Sequence, residues 1–260
     1  AERSLVVAKP QGTIGLIVQL TSMSSERMQV MQEEMHSKAR VVILPFPRRP
    51  ESVFEGVEMP TAIWLRFAAP NAVLVTSSVR RFYTVERSYA IDSSRLFERS
   101  VTVIGPRVPK IDGQIGLSIL KKLKAAHSVE SITVRASAHK VFYQEACRYW
   151  AKSSTFAPRF VRNGEAVDQP HGRTIFLTND RAAGFVNCLI NSSLFYWYYS
   201  TLSDCEHIND SLLRGFPLPK DWDATNWSKL SVSVDNALRR SATAKTINTN
   251  FSISNDGSLT

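Results

Sequence analysis

The chain has 260 residues, 43% of them hydrophobic, with 11 Gly and 12 Pro, which is enough for one large domain or two modest ones with real cores and excludes bulk disorder, collagen and low complexity. With 32 Lys and Arg against 23 Asp and Glu, the formal charge is +9, a balance that suits a polyanionic partner or an anionic membrane surface. Apolar runs such as Ile14 to Leu20 fall far short of the roughly 20 residues that span a bilayer, so no membrane association is expected.

The first 70 residues read as an α/β segment. Gly12 to Gly15 form a turn, Leu16 to Leu20 is a run of strand length, and Thr21 to Ser25 is a helix-capping cluster. A helix should follow, with Met28, Met31 and Met35 on one face and Glu33, Glu34 and Lys38 turned outward. Val41 to Leu44 is a second strand, stopped by Pro45, Pro47 and Pro50, and Thr61 to Phe67 a third, rich in branched and aromatic residues. Strand, helix, strand, strand outlines one end of a mostly parallel sheet with a closing hairpin.

Residues 71–220 read as an α+β domain. Its strand candidates are Val73 to Val75, Arg81 to Val85, Val101 to Ile104, Ile132 to Arg135, Phe160 to Val161 and Thr174 to Leu177. Its helices are Ile115 to Ala126, a long apolar one over Asn179 to Tyr199 capped by Asn179 or Asp180, and a short one over Asp210 to Arg214 ending at Gly215. Residues 221–260 add a helix over Trp227 to Arg240 and a Ser, Thr and Asn-rich end expected to be loose.

Charge is distributed unevenly. Residues 1–67 hold 8 basic and 7 acidic residues, whereas residues 80–173 hold 17 and 8, so the excess sits in the middle. There Lys121, Lys122 and Lys124 flank a helix whose stripe is Ile119, Leu120 and Leu123, and Arg135, Lys140, Arg148, Lys152, Arg159 and Arg162 recur among Phe142, Tyr143, Tyr149 and Trp150. Cations neutralise phosphate and aromatics stack or wedge at a distorted site, a composition that fits DNA. Three cysteines, Cys147, Cys188 and Cys205, are too widely spaced for a zinc pattern and odd in number, which points to a reducing, cytoplasmic setting. Asp204, Cys205 and His207 supply too few ligands for zinc, so Asp204 or His207 is expected to cap a helix or bond loop backbone. Phe195 to Tyr199 is a run of five aromatics expected to pack in the core.

Gly12-Thr13-Ile14-Gly15-Leu16-Ile17-Val18-Gln19-Leu20 and Arg48-Arg49-Pro50-Glu51-Ser52-Val53-Phe54-Glu55-Gly56-Val57 resemble the last part of the catalytic domain in adenine-specific DNA methyltransferases of the restriction-modification type. The likeness continues through Val108 to Ile111, Leu117 to Leu123, Asn191 to Trp197, Ser203 to His207 and Phe216 to Pro219, and covers roughly residues 12–220. It implies an α/β fragment, the end of a Rossmann-like sheet, over 1–70 and a target recognition domain over 71–220. It also implies a phosphate contact at Lys110, a place for Phe54 and Gly56 near the pocket of the flipped base, and double-stranded DNA as partner. The family's glycine-containing loop for S-adenosylmethionine and its Asn-Pro-Pro-Tyr tetrapeptide do not occur in this sequence, and Pro60 stands where relatives often carry Arg. The expected chain is therefore a C-terminal portion that recognises DNA, has no cofactor or catalytic residue of its own, and partners a missing N-terminal catalytic half. The alternative is a stand-alone, non-enzymatic nucleic-acid-binding or specificity module. A hydrolase or metal enzyme lacks any motif of adequate spacing.

Overall fold

The computed structural model describes residues 2–9, 11–100, 107–147, 149–157, 159–162, 165–167, 170–241 and 258–259. The chain divides into two compact units, residues 1–122 with 198–207, and residues 123–197 with 208–260. No helix among the described residues is long and apolar enough to cross a membrane.

In the first unit, α1 (Glu2–Val7), β1 (Ile14–Gln19), α2 (Gln29–His36), β2 (Ala39–Phe46), β3 (Thr61–Ala68), β4 (Val73–Thr76), β5 (Phe97–Ser100) and α3 (Gln114–Lys122) follow one another. The five strands form one mixed sheet in the order β1-β3-β2-β4-β5 in which only β2 and β4 pair in parallel, so the mostly parallel sheet expected from the sequence is not what forms. β3 runs antiparallel to both β1 and β2, β2 is parallel to β4, and β4 is antiparallel to β5. The closing strand thus lies between β1 and β2. β2 is apolar almost throughout because both of its faces are covered, which is why it reads as a continuous hydrophobic run rather than an alternating one. Its side chains still alternate. Val41 and Ile43 join Leu20, Met23, Met35, Trp64 and Leu74 in one cluster, while Leu44 and Phe46 join Val53, Phe82 and Ala90 in another.

α2 covers the first cluster, but its buried face differs in part from the expected methionine stripe. Met35 is buried and Met31 packs partly, whereas Met28 is exposed, and Gln32 and His36 complete the buried face. Glu33, Glu34 and Lys38 point outward as expected. The polar pair is tolerated because it is bonded: Gln32 Nε2 donates to the Ser22 carbonyl at 2.7 Å, His36 Nδ1 donates to the Gln32 carbonyl at 2.7 Å, and Trp64 Nε1 donates to Ser22 Oγ at 3.1 Å.

β4 and β5 extend the first sheet beyond residue 70, so the boundary expected there falls inside that sheet. The strand expected at Arg81 to Val85 is instead a loop leading into a 3-10 helix over Thr84–Tyr89. The strand expected at Val101 to Ile104 lies outside the described residues. α3 stops at Lys122, short of the expected Ala126.

The second unit contains β6 (Thr133–Val134), β7 (Lys140–Gln144), β8 (Ser153–Ser154), β9 (Arg159–Arg162), β10 (Glu165–Val167), β11 (Gly172–Leu177), α4 (Asp180–Ile190), the first half of α5 (Ser193–Leu202), α6 (Asp210–Arg214), α7 (Trp227–Ser241) and β12 (Ser258–Leu259). One antiparallel sheet has the order β6-β11-β7-β8, and a smaller one the order β10-β9-β12. The long apolar helix expected over Asn179 to Tyr199 is broken. Asn179 caps α4 as expected, its side chain accepting from Ala182 N at 2.9 Å. Ser192 Oγ then accepts from Phe195 N at 3.1 Å and starts a new helix, while Asn191 Nδ2 turns back to the Asn187 carbonyl and to Ser153. Short polar side chains that bond nearby backbone interrupt a helix in this way. α4 packs on α7 through Gly184, where the methyl of an alanine would meet Ser228 N and the Trp227 carbonyl carbon at 2.7 Å, so only glycine permits this approach.

Candidate nucleic-acid interface

The expected DNA-contacting residues fall into three groups. Lys110 stands apart from the others because it is 2% exposed, inside the first unit. Its ammonium donates to the Ser203 carbonyl at 2.6 Å, and its backbone N donates to the Thr201 carbonyl at 3.0 Å. Burial pushes its pKa down, with Cys205 and Asp204 opposing that shift and Arg107 adding to it. Lys110 therefore cannot meet a phosphate from solution; it ties the loop before α3 to the end of α5. The neighbouring turn behaves as a backbone-bonding motif. Asp204 Oδ1 accepts from Glu206 N at 3.0 Å and His207 N at 3.2 Å, and Ser203 Oγ accepts from Cys205 N at 2.9 Å, with Cys205 itself in the left-handed region at φ 62°. Burial raises the Cys205 thiol pKa, a shift that Lys110 opposes, which leaves it a poor nucleophile. Among the described residues no cysteine forms a disulfide.

The second group comprises Phe54 and Gly56, in the loop at the carboxyl end of β2, and the lysines at and just beyond the end of α3. Phe54 packs partly against the cluster of Leu44, Phe46, Val53, Phe82 and Ala90, and Gly56 turns the chain at φ 72°. The turn is pinned on both sides. Ser52 Oγ donates to the Phe54 carbonyl at 2.9 Å, Arg87 Nε donates to the Ser52 carbonyl at 3.2 Å, and Arg87 pairs with Glu51. Arg48, at the start of the same loop, donates to the Glu58 carbonyl at 3.3 Å and pairs with Glu206 at 3.1 Å. Lys121 and Lys122 end α3 with both side chains exposed, and Lys124, just beyond it at the start of the second unit, is exposed too. Cations at the last turn of a helix are also favoured by its dipole.

The third group is on the antiparallel sheet of the second unit. β7 alternates: Val141 and Tyr143 are buried, while Lys140 and Phe142 point to the other face. There Lys140 Nζ sits 5.4 Å from the centre of the Phe142 ring. The register of β7 and β11 sets Phe176 beside Lys140 and Thr174 beside Phe142 on this half-open face. Tyr143 is a structural residue, not a stacking one; its hydroxyl donates to Asp210 Oδ1 at 2.8 Å, and burial raises its pKa. Lys152 and Arg135 are exposed. Between β7 and β8, Tyr149 and Trp150 are both exposed, and Trp150 stacks on Tyr196 with ring centres 5.2 Å apart and planes 21° apart. Arg148 lies outside the described residues, as do the side chains of Arg159 and Arg162.

Sequence reasoning missed β7 as a strand, and with it Thr174 and Phe176 as neighbours of Lys140. The signal was present in the alternation of Lys140-Val141-Phe142-Tyr143-Gln144. It also missed Arg173, whose exposed guanidinium donates to Glu145 Oε2 at 2.6 Å and is thereby partly neutralised. The aromatic run of α5 is core in part: Phe195, Tyr198 and Tyr199 are buried as expected, whereas Tyr196 and Trp197 are half-buried. No family model and no curated protein matches the chain.

Proposed function

We propose that this chain supplies DNA binding and target-sequence recognition to a site-specific adenine DNA methyltransferase of the restriction-modification type, as its C-terminal portion. The observation that carries the reading is where the family-like stretches fall on the fold. Gly12 to Leu20 forms the lead-in to β1 and β1 itself, and Arg48 to Val57 forms the pinned loop at the carboxyl end of β2. Chain order strand, helix, strand, closing strand is what the resemblance requires, and β3 fills the closing position between two strands of one direction. Loops at the carboxyl ends of parallel strands are where open α/β sheets hold ligands. The exposed cations Lys121, Lys122, Lys124, Arg135, Lys140 and Lys152, with the stacked Trp150 and Tyr196 rings, supply phosphate neutralisation and an aromatic platform.

In this reading, the chemistry of methyl transfer and the S-adenosylmethionine site belong to the catalytic half. This chain contributes contacts to the duplex and reads its sequence. The deciding experiment is binding of this chain to duplex DNA at two salt concentrations with heparin as competitor. Salt-sensitive binding that survives heparin is the expected result. No binding at low salt refutes the assignment of an autonomous DNA interface to this chain.

A further inference from the structure

Residues 77–96, between β4 and β5, carry a feature that the DNA-binding reading above leaves unused. Phe82 and Ala90 are buried in the cluster beneath the loop that follows β2. Between these two anchors the chain makes the Thr84–Tyr89 turn, closed at its start by Tyr83 N donating to Glu86 Oε2 at 2.9 Å and Glu86 N donating to the Tyr83 carbonyl at 2.8 Å. The turn lifts Tyr83, Val85 and Tyr89 into solvent, at 68%, 85% and 67% exposure. Large apolar side chains held out by a turn anchored at both ends are available for contact with a partner.

Its neighbours indicate what it contacts. Arg87, within the turn, bonds Ser52 and pairs with Glu51, so the turn is fixed to the loop that holds Phe54 and Gly56. β2 and β4 are parallel neighbours, and both loops leave the same end of the sheet. At the base of the excursion, Ser78 Oγ donates to Asp112 Oδ2 at 2.9 Å, next to the start of α3, whose far end carries Lys121 and Lys122. Arg80 and Arg95, at the two ends of the excursion in sequence, are exposed, and Arg80 pairs with Glu86 of the turn at 3.3 Å. An apolar tip flanked by cations is complementary to a duplex whose bases are apolar on their faces and whose rim is phosphate.

We propose that Tyr83, Val85 and Tyr89 form a wedge that enters duplex DNA and unstacks a base step beside the Phe54 to Gly56 loop. The proposal rests on the DNA-binding reading above and deepens it. Its test uses the full chain, a pool of random-sequence duplexes with 2-aminopurine in place of adenine, and three variants. One combines Tyr83→Ala, Val85→Ser and Tyr89→Ala, all at exposed positions; the second is Val85→Ser alone, and the third combines Lys121→Gln, Lys122→Gln and Lys124→Gln. Wild type should bind with a rise in 2-aminopurine fluorescence. The tip variant should lose about tenfold in affinity and lose the fluorescence rise with an unchanged salt slope, because stacking and not phosphate contact is removed. Val85→Ser alone should give a smaller loss of the same kind, and circular dichroism should show both tip variants folded. Wild-type affinity and fluorescence in the tip variant would overturn the wedge while leaving DNA binding intact. A reduced salt slope in the tip variant would overturn it as well, and absence of wild-type binding would overturn both readings.

Discussion

Lys110 shows how a residue type that promises one role can perform another. A lysine in a Val-Pro-Lys-Ile loop reads as a cation offered to phosphate, yet its stem and ammonium lie inside, held by the Ser203 carbonyl. Sequence gives no sign of this, because the acceptor stands far along the chain. Lys110→Met should destabilise the protein by about 1–3 kcal/mol in denaturant unfolding, as a buried carbonyl loses its donor, and should leave DNA affinity of the folded fraction unchanged. His36 supplies a pH effect of definite sign. Burial holds its pKa below the ordinary 6.5, with the Arg99 guanidinium acting in the same direction and the bond to the Gln32 carbonyl opposing. The unfolded chain therefore binds more protons than the folded one as pH falls below 6.5, so the stabilisation present above that pH is lost toward the lower folded value. A His36→Gln variant should flatten this acid slope in thermal melts between neutral pH and the mildly acidic range.

Elements were legible where periodicity was strong and illegible where tertiary contacts overrode it. The strands β1, β2, β3 and β11 and the helices α2, α4, α6 and α7 follow from apolar spacing and end signals such as Asn179 and Gly215. Arg81 to Val85 has strand composition, but Phe82 anchors inward while Glu86 closes a turn, so the segment curls. The break at Asn191 and Ser192 was missed for the opposite reason, since the apolar pattern continues across it while hydrogen bonds to Ser153 and Asn187 redirect the backbone. Gly184 reads as a mere weakness within an apolar helix, yet it is what lets α7 approach. Gly184→Ala should cost about 1–3 kcal/mol through a clash with the Trp227 and Ser228 backbone, despite the better helix propensity of alanine, and unfolding by urea would measure it. Of the interface, the exposed lysines and the Tyr149 and Trp150 pair were readable as composition; the placement of Phe176 beside Lys140, and of the Tyr83 turn beside Phe54, needed the register and the anchors.

For the molecule as a whole, the proposed role separates electrostatics from chemistry. Neutralising Lys121, Lys122 and Lys124 together should weaken DNA binding and lower the salt slope by up to about three, read from affinities across a salt series; an unchanged slope would remove the end of α3 from the interface. Calorimetry with S-adenosylmethionine should show no saturable binding by this chain, and micromolar affinity would contradict the assignment of that site to the catalytic half. The first unit is completed by a short return segment, residues 198–207, inserted between two stretches of the second. That interleaving has a consequence for inheritance. A single genetic crossover near residue 122 would import a foreign 198–207 along with a new second unit, and the incoming segment would have to present a carbonyl to Lys110 where Ser203 now does. Recombination that exchanges the second unit should therefore favour paired junctions that spare this segment, or parents that already share it.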